Sequence, residues 1–202
     1  MGIKLRKILL NFVLALLLIA STENATSKEN YNSKNQWPKN RIGLSASTFT
    51  GFGLTYYRHF GEDFVGKINL YAFGESRRDG SYSKDFFSTI GTELQYNMHK
   101  TKYTRLHIFT ALSLWYDERE YSYERENRQK ITSITIRRTY VTGFGFGFEF
   151  LAWGIISFNI ETGLMGRFGV KTYKNNDLDP KNKTTYPQSY GFGIGGGISY
   201  AF

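Results

Sequence analysis

The sequence predicts an all-β fold: an eight-stranded antiparallel up-and-down transmembrane β-barrel. Three observations carry that prediction. Eight segments between residues 41 and 202 alternate large apolar side chains with small or polar ones, and side chains alternate faces along a strand. Each segment is about the 9–11 residues that a tilted strand needs to cross a bilayer. The connections alternate between short turns and longer charged loops, as in barrels whose short turns face the periplasm. The mean hydropathy of −0.40 does not oppose this, because lipid-facing and lumen-facing residues average out along each strand.

In chain order, residues 1–22 read as a secretory signal. Lys4, Arg6 and Lys7 precede an apolar core from Ile8 to Ala20, too short for a spanning helix. Ala20-Ser21-Thr22 has small residues at the spacing that cleavage needs, which places the cut after Thr22, with Ala20 as the second choice. Removal of the signal takes the formal charge from +9 to about +6. Residues 23–40 are rich in Asn, Ser and Lys without periodicity and read as a flexible leader. The barrel domain is then 41–202.

The first segment, 41–48, sets Ile42, Leu44 and Ala46 against Gly43, Ser45 and Ser47. The second, 52–60, sets Phe52, Leu54 and Tyr56 against Gly53, Thr55 and Tyr57; the third, 64–73, sets Ile68 and Leu70 against Lys67, Asn69 and Tyr71. Segment 86–98 opposes Ile90, Leu94 and Tyr96 to Gly91, Glu93 and Gln95, and segment 105–116 opposes Leu106, Ile108 and Leu112 to Arg105, His107 and Ser113. Segment 140–151 carries Phe144, Phe146, Phe148 and Phe150 on one face and Gly143, Gly145, Gly147 and Glu149 on the other. In 156–168, Phe158, Ile160 and Leu164 oppose Asn159, Glu161 and Arg167. Four successive alternate Phe residues are hard to fit inside an eight-stranded barrel, so the apolar face is assigned to lipid and not to a lipocalin-like interior. Loops 75–85, 117–138 and 171–189 are expected outside the cell, while the first outer connection, 49–51, is unusually short.

The last segment, 190–202, is the most specific. Tyr190, Phe192, Ile194, Ile198, Tyr200 and Phe202 share one face, and the other holds Gly191, Gly193, Gly195, Gly197, Ser199 and Ala201. At this point the chain resembles the bacterial outer membrane β-barrel proteins, whose last strand ends in an aromatic residue preceded by alternating apolar ones. As a whole it is similar to the OmpA/OmpX-type eight-stranded barrels within the porin-like group. The resemblance implies a location in the bacterial outer membrane, contact with outer membrane lipids and lipopolysaccharide, and an assembly signal at Phe202, Tyr200 and Ile198 read by the barrel-assembly machinery.

The polar face supplies the candidate site. Lys67, Glu93, Arg105, His107, Glu149 and Glu161 lie within a few residues of the short turns and are expected to share the periplasmic half of the lumen, with Arg167 added to the same charged set. Unpaired charges are costly in a narrow interior, so the set reads as a paired network that plugs the barrel. The alternative is a polar path for small solutes, with a lipid-modifying enzyme further behind. The glycines of segments 140–151 and 190–202 are expected to leave a water-filled vestibule open to the outside. Trp153 and Tyr96 are expected in the lower aromatic girdle and Tyr116, Tyr140 and Tyr190 in the upper one. With no cysteine, disulfides, cysteine nucleophiles and thiolate metal sites are excluded. His59, His99 and His107 show no metal-ligand spacing, and neither a G-x-S-x-G motif nor a phosphate-cradling loop occurs. No enzyme activity, cofactor or nucleic acid is expected. The basic residues of the outer loops, among them Arg77, Arg119, Arg125, Arg128, Arg137 and Arg138, suit an anionic lipid surface. The hairpin 121–136 offers a strand edge to an extracellular protein partner.

Overall fold

The structure is a computed structural model that describes residues 37–79, 81–124, 130–175 and 182–202. The expected signal, 1–22, and residues 23–36 of the leader lie outside the described residues. Eight strands follow in order: β1 Asn40–Ser47, β2 Gly51–Phe60, β3 Phe64–Asp79, β4 Ser81–Lys100, β5 Thr104–Glu124, β6 Lys130–Ala152, β7 Ile156–Asn175 and β8 Asn182–Ala201. Each pairs antiparallel with its sequence neighbours, and β1 closes on β8, from Arg41↔Ala201 to Ser47↔Gly195. Closure gives the backbone groups of the wall partners within the sheet, the condition for crossing lipid with strands.

The distribution of side chains is the reverse of that in a soluble fold. Arg41, Lys67, Arg105, His107, Glu149 and Glu161 are at most 1% exposed, while Phe144, Phe146, Ile160 and Ile194 are more than half exposed. Water would penalise that outer face; acyl chains do not. The barrel therefore spans a membrane, with polar groups inside and an apolar band outside.

The periplasmic turns are tight. Trp153 and Gly154 both have positive φ, 51° and 77°, as a type I′ hairpin requires to match the twist of its strands, and Ile155 N donates to Ala152 O at 3.1 Å. At the β4–β5 turn, Thr101 Oγ1 accepts from Tyr103 N at 3.2 Å and Thr104 N at 3.0 Å.

Three expectations are corrected at the outer side. The segments expected as loops largely continue as strands: β3 and β4 pair up to Asp79↔Ser81, and β5 and β6 up to Glu124↔Lys130. Opposite charges face each other across these extensions, as Asp85↔Arg119, Lys84↔Glu120 and Asp117↔Arg137, which favours pairing over a solvated loop. Residues 125–129, with Arg125 and Arg128, lie outside the described residues. The edge expected at hairpin 121–136 is mostly closed, since β5 pairs with β4 up to Ser122 and β6 with β7 from Ser133. Phe52, assigned above to the lipid face, instead joins rings inside the barrel. Its centroid lies 4.5 Å from Tyr71, 5.4 Å from Phe87 and 6.4 Å from Trp115. Gly51 and Gly53 flank it with φ of 87° and 129°, and this local break in the regular strand conformation lets the side chain swing inward.

The leader also ends earlier than expected. Trp37 is 7% exposed and donates from Nε1 to Thr101 O at 2.8 Å, and His59 N donates to Lys39 O at 2.9 Å. Residues 37–40 are thus built into the barrel.

Candidate functional site

The lumen holds three stacked features. The lowest is a charge network built from six strands. Lys67 and Glu93 stand directly opposite on β3 and β4, and Arg105 and Glu149 on β5 and β6. From β3, Lys67 Nζ donates across the lumen to Glu161 on β7, at 2.7 Å to Oε1 and 2.9 Å to Oε2, and to Glu93 Oε2 at 3.2 Å. Gln95 Nε2 donates to Glu93 Oε1 at 2.6 Å, and Arg105 donates to Gln95 Oε1 at 2.7 Å and Asn97 Oδ1 at 3.1 Å. Arg105 also pairs with Glu149, whose other oxygen pairs with Arg41 from β1. Arg41 Nη1 reaches Ser157 Oγ at 2.9 Å on β7, two strands away through β8.

Three cations and three carboxylates therefore balance in the buried interior. Burial of these charges carries a large desolvation cost, which only such dense pairing offsets. Two ties cross the barrel, β3 to β7 and β1 to β6, so the network braces opposite walls. Trp37 lies beneath it, with the Arg105 and Arg41 guanidiniums at 5.5 and 5.8 Å from its ring centroid. Tyr57 takes the other approach, with Arg41 at 4.6 Å and Lys67 at 5.7 Å. Arg41, Tyr57, Gln95, Asn97 and Trp37 are the members that sequence reading missed.

His107 is fully buried among these residues, and among the described residues neither ring nitrogen has a hydrogen-bond partner. Its ring fills the space over Gly147, where a Cβ would collide with it. Ligand atoms of Glu93, His107 and Glu161 lie within 4.8 Å of one another. The Lys67 ammonium, held by both carboxylates, already stands where a cation would bind, and the cluster is read as part of the network.

Above the network the β1–β2 connection folds into the barrel. Phe49 and Thr50 are fully buried. Ser113 Oγ donates to Phe49 O at 2.7 Å, Asn69 Nδ2 donates to Gly51 O at 2.8 Å, and Thr48 N donates to Ile194 O at 3.0 Å. The Phe49 ring packs edge-on to Phe109 with centroids 4.9 Å apart. It occupies the space that side chains at Gly143 and Gly193 would need. The glycines expected to leave a vestibule at this level instead seat an inward turn, which forms a second plug.

The third feature lies on the extracellular side of that turn. The rings of Phe52, Tyr71, Phe87 and Trp115 cluster on the β2–β5 side. Arg167, grouped above with the lower charges, lies here instead, its guanidinium carbon 5.9 Å from the Trp115 ring centroid. It stands six positions beyond Glu161 along β7, which puts it in the outer half. The girdle residues Trp153, Tyr96, Tyr140 and Tyr190 are exposed and Tyr116 half-buried, with the Tyr116 hydroxyl donating to Glu118 Oε2 at 2.5 Å. Ile198, Tyr200 and Phe202 lie exposed along the lower outer face of the β8 end.

An apolar belt around a closed, charge-filled eight-stranded lumen defines an integral barrel of the outer membrane type. No protein-family model matches the chain, and no curated protein does. Among solved structures, a major outer membrane protein from Thermus thermophilus is similar in fold, with a TM-score of 0.51 at 10% identity, over 83% of this chain and 100% of that one. CarO of Acinetobacter baumannii gives a TM-score of 0.41 at 10% identity, over 82% of this chain and 98% of that one.

Proposed function

We propose that this chain is a bacterial outer membrane protein of the OmpA/OmpX type that works as a closed barrel with a structural or surface-interaction role. The observation that carries the reading is the double obstruction of the lumen. The Lys67–Glu93–Glu161 and Arg41–Glu149–Arg105 sets tie opposite walls together below, and the buried Phe49 turn fills the space above. Every carboxylate of the set is engaged by a cation, which favours bracing over acid–base catalysis. Contacts with partners then fall to the outer rim, whose extended and charge-patterned hairpins suit lipopolysaccharide and extracellular proteins. Ile198, Tyr200 and Phe202 are the assembly signal in this reading.

Liposome swelling tests the proposal. Vesicles carrying the purified barrel should swell in arabinose or glycine no faster than empty vesicles. Rapid swelling that depends on the protein would replace this reading with that of a narrow pore for small solutes.

A further inference from the structure

The wall of the barrel has a notch on its outer side. β1 and β2 are joined over eight register pairs, ending at Ser47↔Gly51, and eight tilted residues rise about 20 Å against an apolar band of about 25 Å. The neighbouring strands run on without them. β3 loses its β2 partner above Leu54↔Leu70, and β8 loses its β1 partner above Ser47↔Gly195, apart from the bond between Thr48 N and Ile194 O. The outward side chains of β8 register the missing neighbour. Phe192 is 83% exposed, against 62% for Phe144 at the same level of the complete wall. The gap lies on the extracellular side of the wall, where unpaired strand edges call for a polar neighbour and not for acyl chains alone.

Inside the notch, above the sealed turn, the rings of Phe52, Tyr71, Phe87 and Trp115 pack on one another and are all half-buried, so the cluster keeps part of its apolar surface exposed. On the β7–β8 side, Arg167 stands opposite Ser189, with its Nε buried and without a hydrogen-bond partner among the described residues. Next to it, Gly191 has open space where a side chain would stand. An aromatic floor flanked by a guanidinium, beside a stretch of wall where strand pairing stops, has the polarity of an amphiphile with an anionic head.

We propose that this cleft binds an anionic single-chain amphiphile from the outer leaflet, a long-chain carboxylate, which reaches it through the gap between β3 and β8. The chain lies on the Phe52–Tyr71–Phe87–Trp115 rings, and the carboxylate accepts hydrogen bonds from Arg167. The barrel is then a closed receptor for a membrane amphiphile and needs no path through the lower lumen, so this site and the swelling result can fail independently.

Tryptophan quenching in phosphatidylcholine nanodiscs is the test. A Trp37→Phe/Trp153→Phe variant leaves Trp115 as the only tryptophan. 12-Bromododecanoate should quench it at a concentration on the order of tenfold lower than 12-bromododecanol, the difference that one charge-assisted hydrogen bond supplies. Arg167→Gln should abolish that preference. Equal quenching by the acid and the alcohol, or a preference that survives Arg167→Gln, overturns the proposal. Should the tryptophan variant not fold, native mass spectrometry of the wild-type barrel with deuterated dodecanoate replaces it. One bound carboxylate per barrel, lost in Arg167→Gln, supports the site; no bound carboxylate, or binding unchanged by Arg167→Gln, overturns it.

Discussion

Replacement of Glu161 by Gln probes the lower network at its most connected point. Lys67 Nζ holds both oxygens of Glu161, at 2.7 and 2.9 Å, and both side chains are fully buried. At an effective dielectric constant near 20, a pair at that separation attracts by about 6 kcal/mol before desolvation is counted. Removal of one member of a buried pair costs about 3–5 kcal/mol, because the other charge stays behind without its partner. Lys67 keeps Glu93 at 3.2 Å, so the lower end, about 3 kcal/mol, is expected for Glu161→Gln. The assay is the denaturant midpoint of the purified barrel, followed by the loss of the fast-migrating folded band on an unboiled gel. A second substitution, Lys67→Met, completes a double-mutant cycle with an expected coupling of about 1.5 kcal/mol or more. The surface pair Arg77–Glu75 has the same 2.7 Å separation but side chains 69% and 44% exposed, and Glu75→Gln should leave the midpoint unchanged. A Glu161→Gln barrel within about 0.5 kcal/mol of wild type, or equal effects at Glu161 and Glu75, would refute the claim that the network braces the walls.

Three further outcomes are expected. Phe49→Ala empties the space over Gly143 and Gly193 and should cost about 3–4 kcal/mol by the same midpoint assay. Gly147→Ala drives a Cβ into the His107 ring and should cost about 1–3 kcal/mol, with His107→Ala restoring much of the loss in the double variant. Phe202→Ser should reduce the yield of assembled barrel in cells far more than Phe148→Ser, as measured by heat-modifiable band intensity in the membrane fraction; equal yields would argue against a terminal signal.

Much of the barrel is legible in the sequence because its governing pattern is local. A period of two is visible within any ten residues, and the Phe144–Phe150 and Tyr190–Phe202 runs leave only lipid as a neighbour for their large side chains. The lower charges are legible for the same reason, since Lys67, Glu93, Arg105, Glu149 and Glu161 all fall on the polar face near short turns. What escapes depends on residues brought together by closure. Gly143 and Gly193 are 50 positions apart and become one socket only when β6 and β8 stand on the same lumen, so nothing in residues 48–50 announces that Phe49 turns inward. Phe52 follows the alternation in sequence, and only the unusual backbone at Gly51 and Gly53 reverses it. Trp37 sits in a stretch whose composition reads as a flexible leader, and its partners Thr101 and Arg105 are far along the chain. Arg41 reads in sequence as a strand end with no assigned partner, because Glu149 faces it only across the closed barrel. The outer hairpins read as loops because charge density resembles solvation until the cross-strand register shows Asp85 opposite Arg119 and Asp117 opposite Arg137.

Planar-bilayer recording tests the doubly obstructed lumen most directly. Wild-type barrel should give no steady conductance. A barrel with Phe49→Gly and Trp37→Ala, combined with Glu161→Gln to loosen the brace, should open discrete small channels. Steady conductance from the wild-type protein, unchanged by those three substitutions, would contradict the account.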